Sequence, residues 1–146
     1  MIEYRTADLA DVRELRHRLL RPHQRPEELV YPGDHLPDAL HLGAFERGAL
    51  VGVASICREP PPGSEEPRAW RIRGMATEPA VRGRGIGGEL LGRCVAHAAE
   101  RGAAVVWCSA RVRAEPFYRR HGFAVVRGPY DVPAIGPHVE MRRRLR

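Results

Sequence analysis

The chain has 146 residues, 43% of them hydrophobic and 29% charged, the proportions of a soluble globular domain with material for one sizeable core. No apolar run approaches the roughly 20 residues that cross a bilayer, and the opening Met1-Ile2-Glu3-Tyr4-Arg5 lacks the form of a signal peptide, so a cytoplasmic protein away from membranes is expected. The net charge of +6 comes from a chain with 24 basic residues and no lysine; its arginines run from Arg5 to Arg146 among acids, without a recognition motif that would favour nucleic acid as a partner.

Residues 1–7 read as an edge strand. Asp8 or Asp11 is placed to cap a helix running to about Leu20. Leu9, Val12, Leu15 and Leu19 form its apolar stripe, with Arg13, Arg16 and Arg18 outside. Arg21-Pro22 through Pro26 breaks that helix. From Pro26 to Leu40 the pattern is weak: Glu27-Glu28-Leu29 suits a short helix and Tyr31-Pro32-Gly33-Asp34 a turn. Leu40–Phe45 and Leu50–Cys57 pair as a hairpin around Glu46-Arg47-Gly48. Glu59–Arg68 is a proline-rich segment, expected to be an exposed, mobile loop.

Trp70–Thr77 alternates bulky and polar residues, as a half-buried strand does. After Glu78-Pro79 comes a glycine-rich loop, and from Ile86 the apolar positions take helical spacing: Ile86, Leu90, Leu91, Cys94, Val95, Ala98. Ala103–Ala110 is a continuous apolar run, the mark of a strand buried on both faces. Ala114–His121 reads as a short helix stopped by Gly122, Phe123–Arg127 as a strand, Gly128–Pro137 as an irregular loop, and His138–Leu145 as the last strand. The order β-α-(α)-β-β-β-α-β-α-β-β defines an α+β fold, one mixed sheet with helices on its faces, built from residues 1–146 as a single domain. Cys57, Cys94 and Cys108 are odd in number and widely spaced, which argues for buried free thiols and against a disulfide framework or a zinc site.

The centre of the chain is the loop Arg82-Gly83-Arg84-Gly85-Ile86-Gly87-Gly88, set where a helix begins. Glycines admit close approach of a ligand, and first-turn amides are unpaired at the positive end of the helix dipole, so the place suits a phosphate or pyrophosphate. A Walker A loop needs Gly-Lys-Ser/Thr, and the chain has no lysine. Gly83-x-Gly85-x-x-Gly88 matches the letters of the dinucleotide fingerprint. However, five residues separate it from the strand, and no acid stands about 20 positions on. A plain glycine turn before an ordinary helix is the bland alternative.

The longer pattern Arg82-x-x-Gly85-x-Gly87, after a strand ending Thr77-Glu78-Pro79, resembles the acyl-CoA pyrophosphate loop of the GCN5-related N-acetyltransferases, the GNAT family. Ala114-x-x-Phe117-Tyr118-Arg119-Arg120-His121-Gly122-Phe123 is similar to a second segment of that family, and the ending from Ile135 to Met141 to its ElaA-like branch. The resemblance covers about Leu40 to Arg144. It implies transfer of an acetyl group from acetyl-CoA, bound as a substrate without metal, to a primary amine on a small molecule or a protein N-terminus. It further implies backbone groups of Met75, Ala76 and Thr77 on the pantetheine arm and amides of Gly83, Arg84, Gly85, Ile86, Gly87 and Gly88 on the pyrophosphate. Arg82 or Arg84 is implied near the 3′-phosphate, and Tyr118 as the acid beside the leaving thiolate. A phenol of ordinary pKa near 10 suits that task.

Two family positions are not matched. The acid that one subgroup uses as a base falls at Val106, and an asparagine frequent seven residues before the tyrosine is Arg111. Glu78, Asp131 and His138 remain as candidate bases, the last with a suitable titration range. His35, Asp38 and His41 are spaced around a helix rather than as metal ligands. The family builds its acceptor pocket from regions that correspond here to Arg21–Leu40 and Gly128–His138, where Asp34, Asp38 and Asp131 are available to a cationic amine. A homodimer fits the reading, with no residue that demands it. A non-catalytic acyl-CoA-binding protein of the same fold is the alternative.

Overall fold

The computed structural model describes residues 1–145, apart from the side chain of Pro26. Its elements are β1 (Ile2–Thr6), α1 (Leu9–Leu20), a 3-10 turn (Pro26–Leu29), β2 (Leu40–Glu46), β3 (Ala49–Arg58), β4 (Ala69–Thr77), a 3-10 turn (Pro79–Val81), α2 (Ile86–Glu100), β5 (Val105–Arg111), a 3-10 turn (Val112–Ala114), α3 (Glu115–Arg120), β6 (Ala124–Val132) and β7 (Gly136–Arg144). Among the described residues seven strands form one sheet in the order β1-β2-β3-β4-β5-β7-β6. The β4–β5 pair is parallel and the other pairs are antiparallel. This is the α+β arrangement that the element order implies.

Sequence patterns account for most of these elements. The β2–β3 hairpin turns on Arg47 and Gly48, both at positive φ (52° and 81°), the two-residue turn whose twist matches the strands it joins. The apolar positions of α2 are all buried, packed on one face of the sheet against Trp70, Ile72, Val106, Cys108 and Met141. Each such leucine or isoleucine contributes about 1.5–3 kcal/mol by leaving water. On the other face α1 sets Val12 and Leu15 against Val53 and Ala76. Beyond α1 that face carries polar and aromatic side chains, among them Arg71, Arg73, Trp107 and Ser109.

Four expectations are corrected. Arg16 is fully buried on the inner face of α1, because Asp34, Ser55 and the Leu29 carbonyl meet its guanidinium. Asp8 stands at the α1 N-cap but makes no side-chain cap bond. The expected helix 114–121 is a 3-10 turn followed by the shorter α3. Residues 128–137 are largely strand: β6 runs to Val132 and β7 begins at Gly136. The proline-rich segment is anchored at its start, where Glu59 bonds Arg71 and Arg73 and its carbonyl accepts the Trp107 indole N–H at 2.7 Å.

Candidate functional site

The site begins where two strands part. β4 and β5 pair over Ala69↔Val105, Trp70↔Val106 and Arg71↔Trp107, after which β4 stays with β3 and β5 with β7. A bulge in the β3–β4 ladder between Val53 and Ser55, with Gly74 at φ 63°, turns β4 away at this point. A cavity of about 210 Å³ opens in the gap, lined by Ile72–Met75 of β4, Ser109–Arg111 of β5, and Tyr118 and His138. The side of β4 facing it, from Ile72 to Thr77, has no strand neighbour among the described residues.

The second part is the N-terminus of α2. Its cap residue is Gly85, in the left-handed region at φ 79° and without a side chain to cap the helix. The Glu89 amide bonds the Gly85 carbonyl at 3.1 Å, so the amides of Ile86, Gly87 and Gly88 lack intrahelical partners. They open onto a cavity of about 510 Å³ walled by Gly83, Gly85, Phe117, Arg120 and His121. A Cβ on Gly87 would lie 3.5 Å from the Phe117 ring, and one on Gly88 would lie 2.9 Å from His121. Gly88 is therefore small because the His121 ring stands against it, whereas the contact at Gly87 is an ordinary van der Waals one that leaves room for a Cβ. Arg82 donates from Nε to the Thr77 carbonyl at 3.3 Å, while Arg84 is held by Glu46 at 2.6 Å.

Between these parts runs a groove of about 250 Å³ along Met75, Ala76 and Thr77, roofed by Leu19, Leu20 and Phe117. Tyr118 lines both this groove and the β4–β5 cavity. Its ring packs edge-on to Phe117 and Phe123, with centroids at 5.1 and 5.5 Å. Gly122, at φ 88°, ends α3, and the Phe123 amide returns to the Tyr118 carbonyl at 3.1 Å, fixing the tyrosine backbone. Burial raises the Tyr118 phenol above its ordinary value. The side chain therefore stays protonated and offers a hydrogen bond, and the ordinary phenol pKa expected from sequence does not hold here.

Of the candidate bases, Glu78 is paired with Arg18 at 2.6 Å and Asp131 is exposed on β6. His138 is buried in the cavity wall, stacked on Tyr130. Its Nδ1 lies 2.9 Å from the Gly136 carbonyl oxygen. That oxygen can only accept, so in the neutral ring Nδ1 carries the proton and Nε2 the lone pair. Two of the three acids suggested for a cationic amine are otherwise engaged, Asp34 with Arg16 at 2.9 Å and Asp38 with Arg58. His41 bonds Ser55 and the Asp34 carbonyl, His35 is exposed, and no group of three or more His, Cys, Asp or Glu that could hold a metal ion occurs among the described residues.

The cavity also gathers Arg21, Tyr31, Arg73 and Arg111, of which sequence reasoning noted Arg111 only as a departure from the family pattern. The signal for Arg73 is its alternation with Ile72 along β4, which turns it to the face opposite α2.

A model of the Acetyltransferase (GNAT) family matches residues 8–123. The uncharacterized N-acetyltransferase YitI of Bacillus subtilis (strain 168) is 38% identical over 146 residues, covering 100% of this chain and 98% of its own. The crystal structure of Escherichia coli ElaA superposes with a TM-score of 0.81 at 21% identity, over 99% of this chain and 100% of that one. An aminoglycoside 6′-N-acetyltransferase solved with coenzyme A gives 0.74 at 15% identity, over 97% and 96%. At those identities the two structures establish the shared fold, while the sequence matches go further. By the family match over most of its length and by its identity to YitI, the chain belongs to the GNAT family of acetyltransferases.

Proposed function

We propose that this chain is an acetyl-CoA-dependent N-acetyltransferase, a single domain that passes the acetyl group directly to a primary amine held beside the thioester. The observation that carries the reading is Tyr118, which lines both the groove leading from the α2 N-terminus and the cavity between β4 and β5. A donor entering by the groove and an acceptor in the cavity meet at that ring.

The residues present fit coenzyme A. Unpaired amides at Ile86–Gly88, with Gly83 and Gly85 at positive φ before them, suit the pyrophosphate. Arg82, and Arg84 once released from Glu46, supply charge for the 3′-phosphate. Met75, Ala76 and Thr77 present a free strand edge to the pantetheine amides. The coenzyme A in the aminoglycoside enzyme of the same fold supports the assignment. Bound acetyl-CoA supplies the activated acyl group, and the chain's own residues do the rest. A β4 amide in the gap is placed to polarise the carbonyl oxygen. His138 Nε2 takes the proton that the amine gives up as its nitrogen bonds to carbon. Tyr118 donates its O–H toward the departing sulfur. With a phenol above its ordinary value and a thiol near about 8.5, this donor stabilises a thiolate more than it neutralises one.

The test is calorimetric titration of acetyl-CoA into wild type and Gly87→Glu, beside coenzyme A lacking the 3′-phosphate. Gly87 has an ordinary helical φ and room for a Cβ, so the fold survives while a carboxylate enters the pyrophosphate site. Micromolar binding by wild type, about −8 kcal/mol, lost in the variant and weakened without the phosphate, is expected. Equal binding in both proteins overturns the cofactor site. Binding without acetylation of any amine would favour the non-catalytic alternative.

A further inference from the structure

Four arginines crowd the acceptor side of the site. Arg21, Arg73 and Arg111 line the cavity between β4 and β5, and Arg71 joins Arg21 and Arg73 in its extension, a space of about 190 Å³. Among the described residues no Asp or Glu lines either space. The nearest compensating carboxylate is Glu59, shared between Arg71 at 2.7 Å and Arg73 at 3.2 Å. Arg21 forms no ion pair among the described residues, and its Nη1 is buried without a hydrogen-bond partner, as are Nε of Arg71 and Nε of Arg73. Arg111 spends one nitrogen on the Leu20 carbonyl at 2.8 Å. Burial, then the charge of neighbouring arginines, pushes Arg73 and Arg111 below their usual values.

Unmatched guanidinium groups in a partly desolvated cavity are costly unless something anionic completes them. The guanidinium fork matches the paired oxygens of a carboxylate or phosphate. We propose that the acceptor is a small amine bearing its own anionic group, a carboxylate or a phosphate, which Arg21, Arg73 and Arg111 grip while His138 and Tyr118 face the amine. The proposal rests on the transferase reading above and names its acceptor class. Arg111 and His138 are register partners on β5 and β7, so anion and amine are separated by only a few bonds, as in an amino acid. The small cavity agrees with an occupant of that size. A polycationic amine would meet arginines and no carboxylate on these walls.

The experiment has two parts, both on the full chain. Acetyl-CoA binding is measured first, and its absence is a failure of the transferase reading itself. With binding in hand, acceptors are compared in matched pairs: the common amino acids against their α-carboxamides, O-phosphoethanolamine against ethanolamine, and spermidine alone. A member bearing an anion should exceed its neutral partner by about 100-fold in kcat/KM, and the pair that responds separates carboxylate from phosphate. Preference for carboxamides, ethanolamine or spermidine overturns the proposal. The second part needs no turnover. Acetate and inorganic phosphate, at ionic strength matched with chloride, should raise the melting temperature of wild type more than that of Arg21→Met. Without added anion that variant should melt no lower than wild type, since it loses an unpaired cation. An equal response of the two proteins to the anions, or a lower melting temperature of Arg21→Met, overturns the proposal.

Discussion

Arg16 is the residue whose role depends least on its neighbours in sequence. Its guanidinium is fully buried, bonded to Asp34 at 2.9 Å, to Ser55 at 2.8 Å and to the Leu29 carbonyl at 3.1 Å, with Tyr31 stacked beside it. Burial alone would raise the Asp34 carboxyl. The hydrogen bond and charge of Arg16, with the Tyr31 amide, outweigh burial and hold it below its usual value. A carboxyl lowered by folding adds stability above its unfolded pKa and loses it as pH falls through the folded one. Asp34→Asn should therefore cost about 3–5 kcal/mol at neutral pH, because a buried cation loses its countercharge. In urea unfolding the gap between wild type and variant should narrow below about pH 4. A gap independent of pH would assign the loss to packing alone. Tyr118→Phe makes a separate prediction: acetyl-CoA affinity retained, kcat lower by about 100-fold. An unchanged kcat would leave the tyrosine as packing. Its motif made Tyr118 legible in the sequence. Arg16 was not, since a helix-facing arginine looks like any solvated one until its partner 18 residues away is known.

At the scale of elements, legibility followed the strength of local pattern. α2 and the β2–β3 hairpin were readable because helical spacing and a positive-φ turn are encoded over a few adjacent residues. The β6–β7 hairpin was misread because Gly128, Pro129 and Pro133 look like loop. In the structure the first two lie at the irregularity between Arg127 and Tyr130, where the ladder needs no amide from proline, and Pro133 lies in the turn. The parting of β4 from β5 is likewise hard to read from periodicity, since at the bulge the faces of β4 shift by one residue, putting Arg73 and Ala76 on the same side, while β4 keeps β3 and loses β5. Its one local sign is Gly74. Its φ is 63°, and a Cβ there would fall 2.6 Å from the Arg16 Nε, in a guanidinium held by Asp34 and Ser55. Gly74→Ala should therefore cost about 1–3 kcal/mol from backbone strain. It should cost less in an Asp34→Asn background, where Arg16 is freer to shift. Additive losses in the double mutant, read from urea midpoints, would show that the strand bend and the buried pair are independent.

At the scale of the whole molecule the three thiols report how the fold comes apart. Cys94 on α2 and Cys108 on β5 lie inside the main core, and burial pushes both up to about 12. Cys57 on β3 is raised less, to about 11, mainly by burial. Its Sγ rests against Gly33, so close that a Cβ there would overlap it at 2.2 Å. Thiolate is the reactive form, so at pH 8 the folded protein should resist alkylation at all three sites. Exposure of Cys94 or Cys108 requires separating α2 from the sheet, which removes the main core and amounts to global unfolding. Exposure of Cys57 requires only that the turn around Gly33 lift from β3. Labelling in rising urea, resolved by mass spectrometry, should give Cys94 and Cys108 one common free energy and the full denaturant slope of unfolding. Cys57 should label at lower cost with a shallow slope, through a local opening. The same slope at all three cysteines would mean that the Gly33 turn and the core unfold as one unit. Early labelling of Cys94 would mean that α2, and with it the glycine loop, detaches before the sheet does.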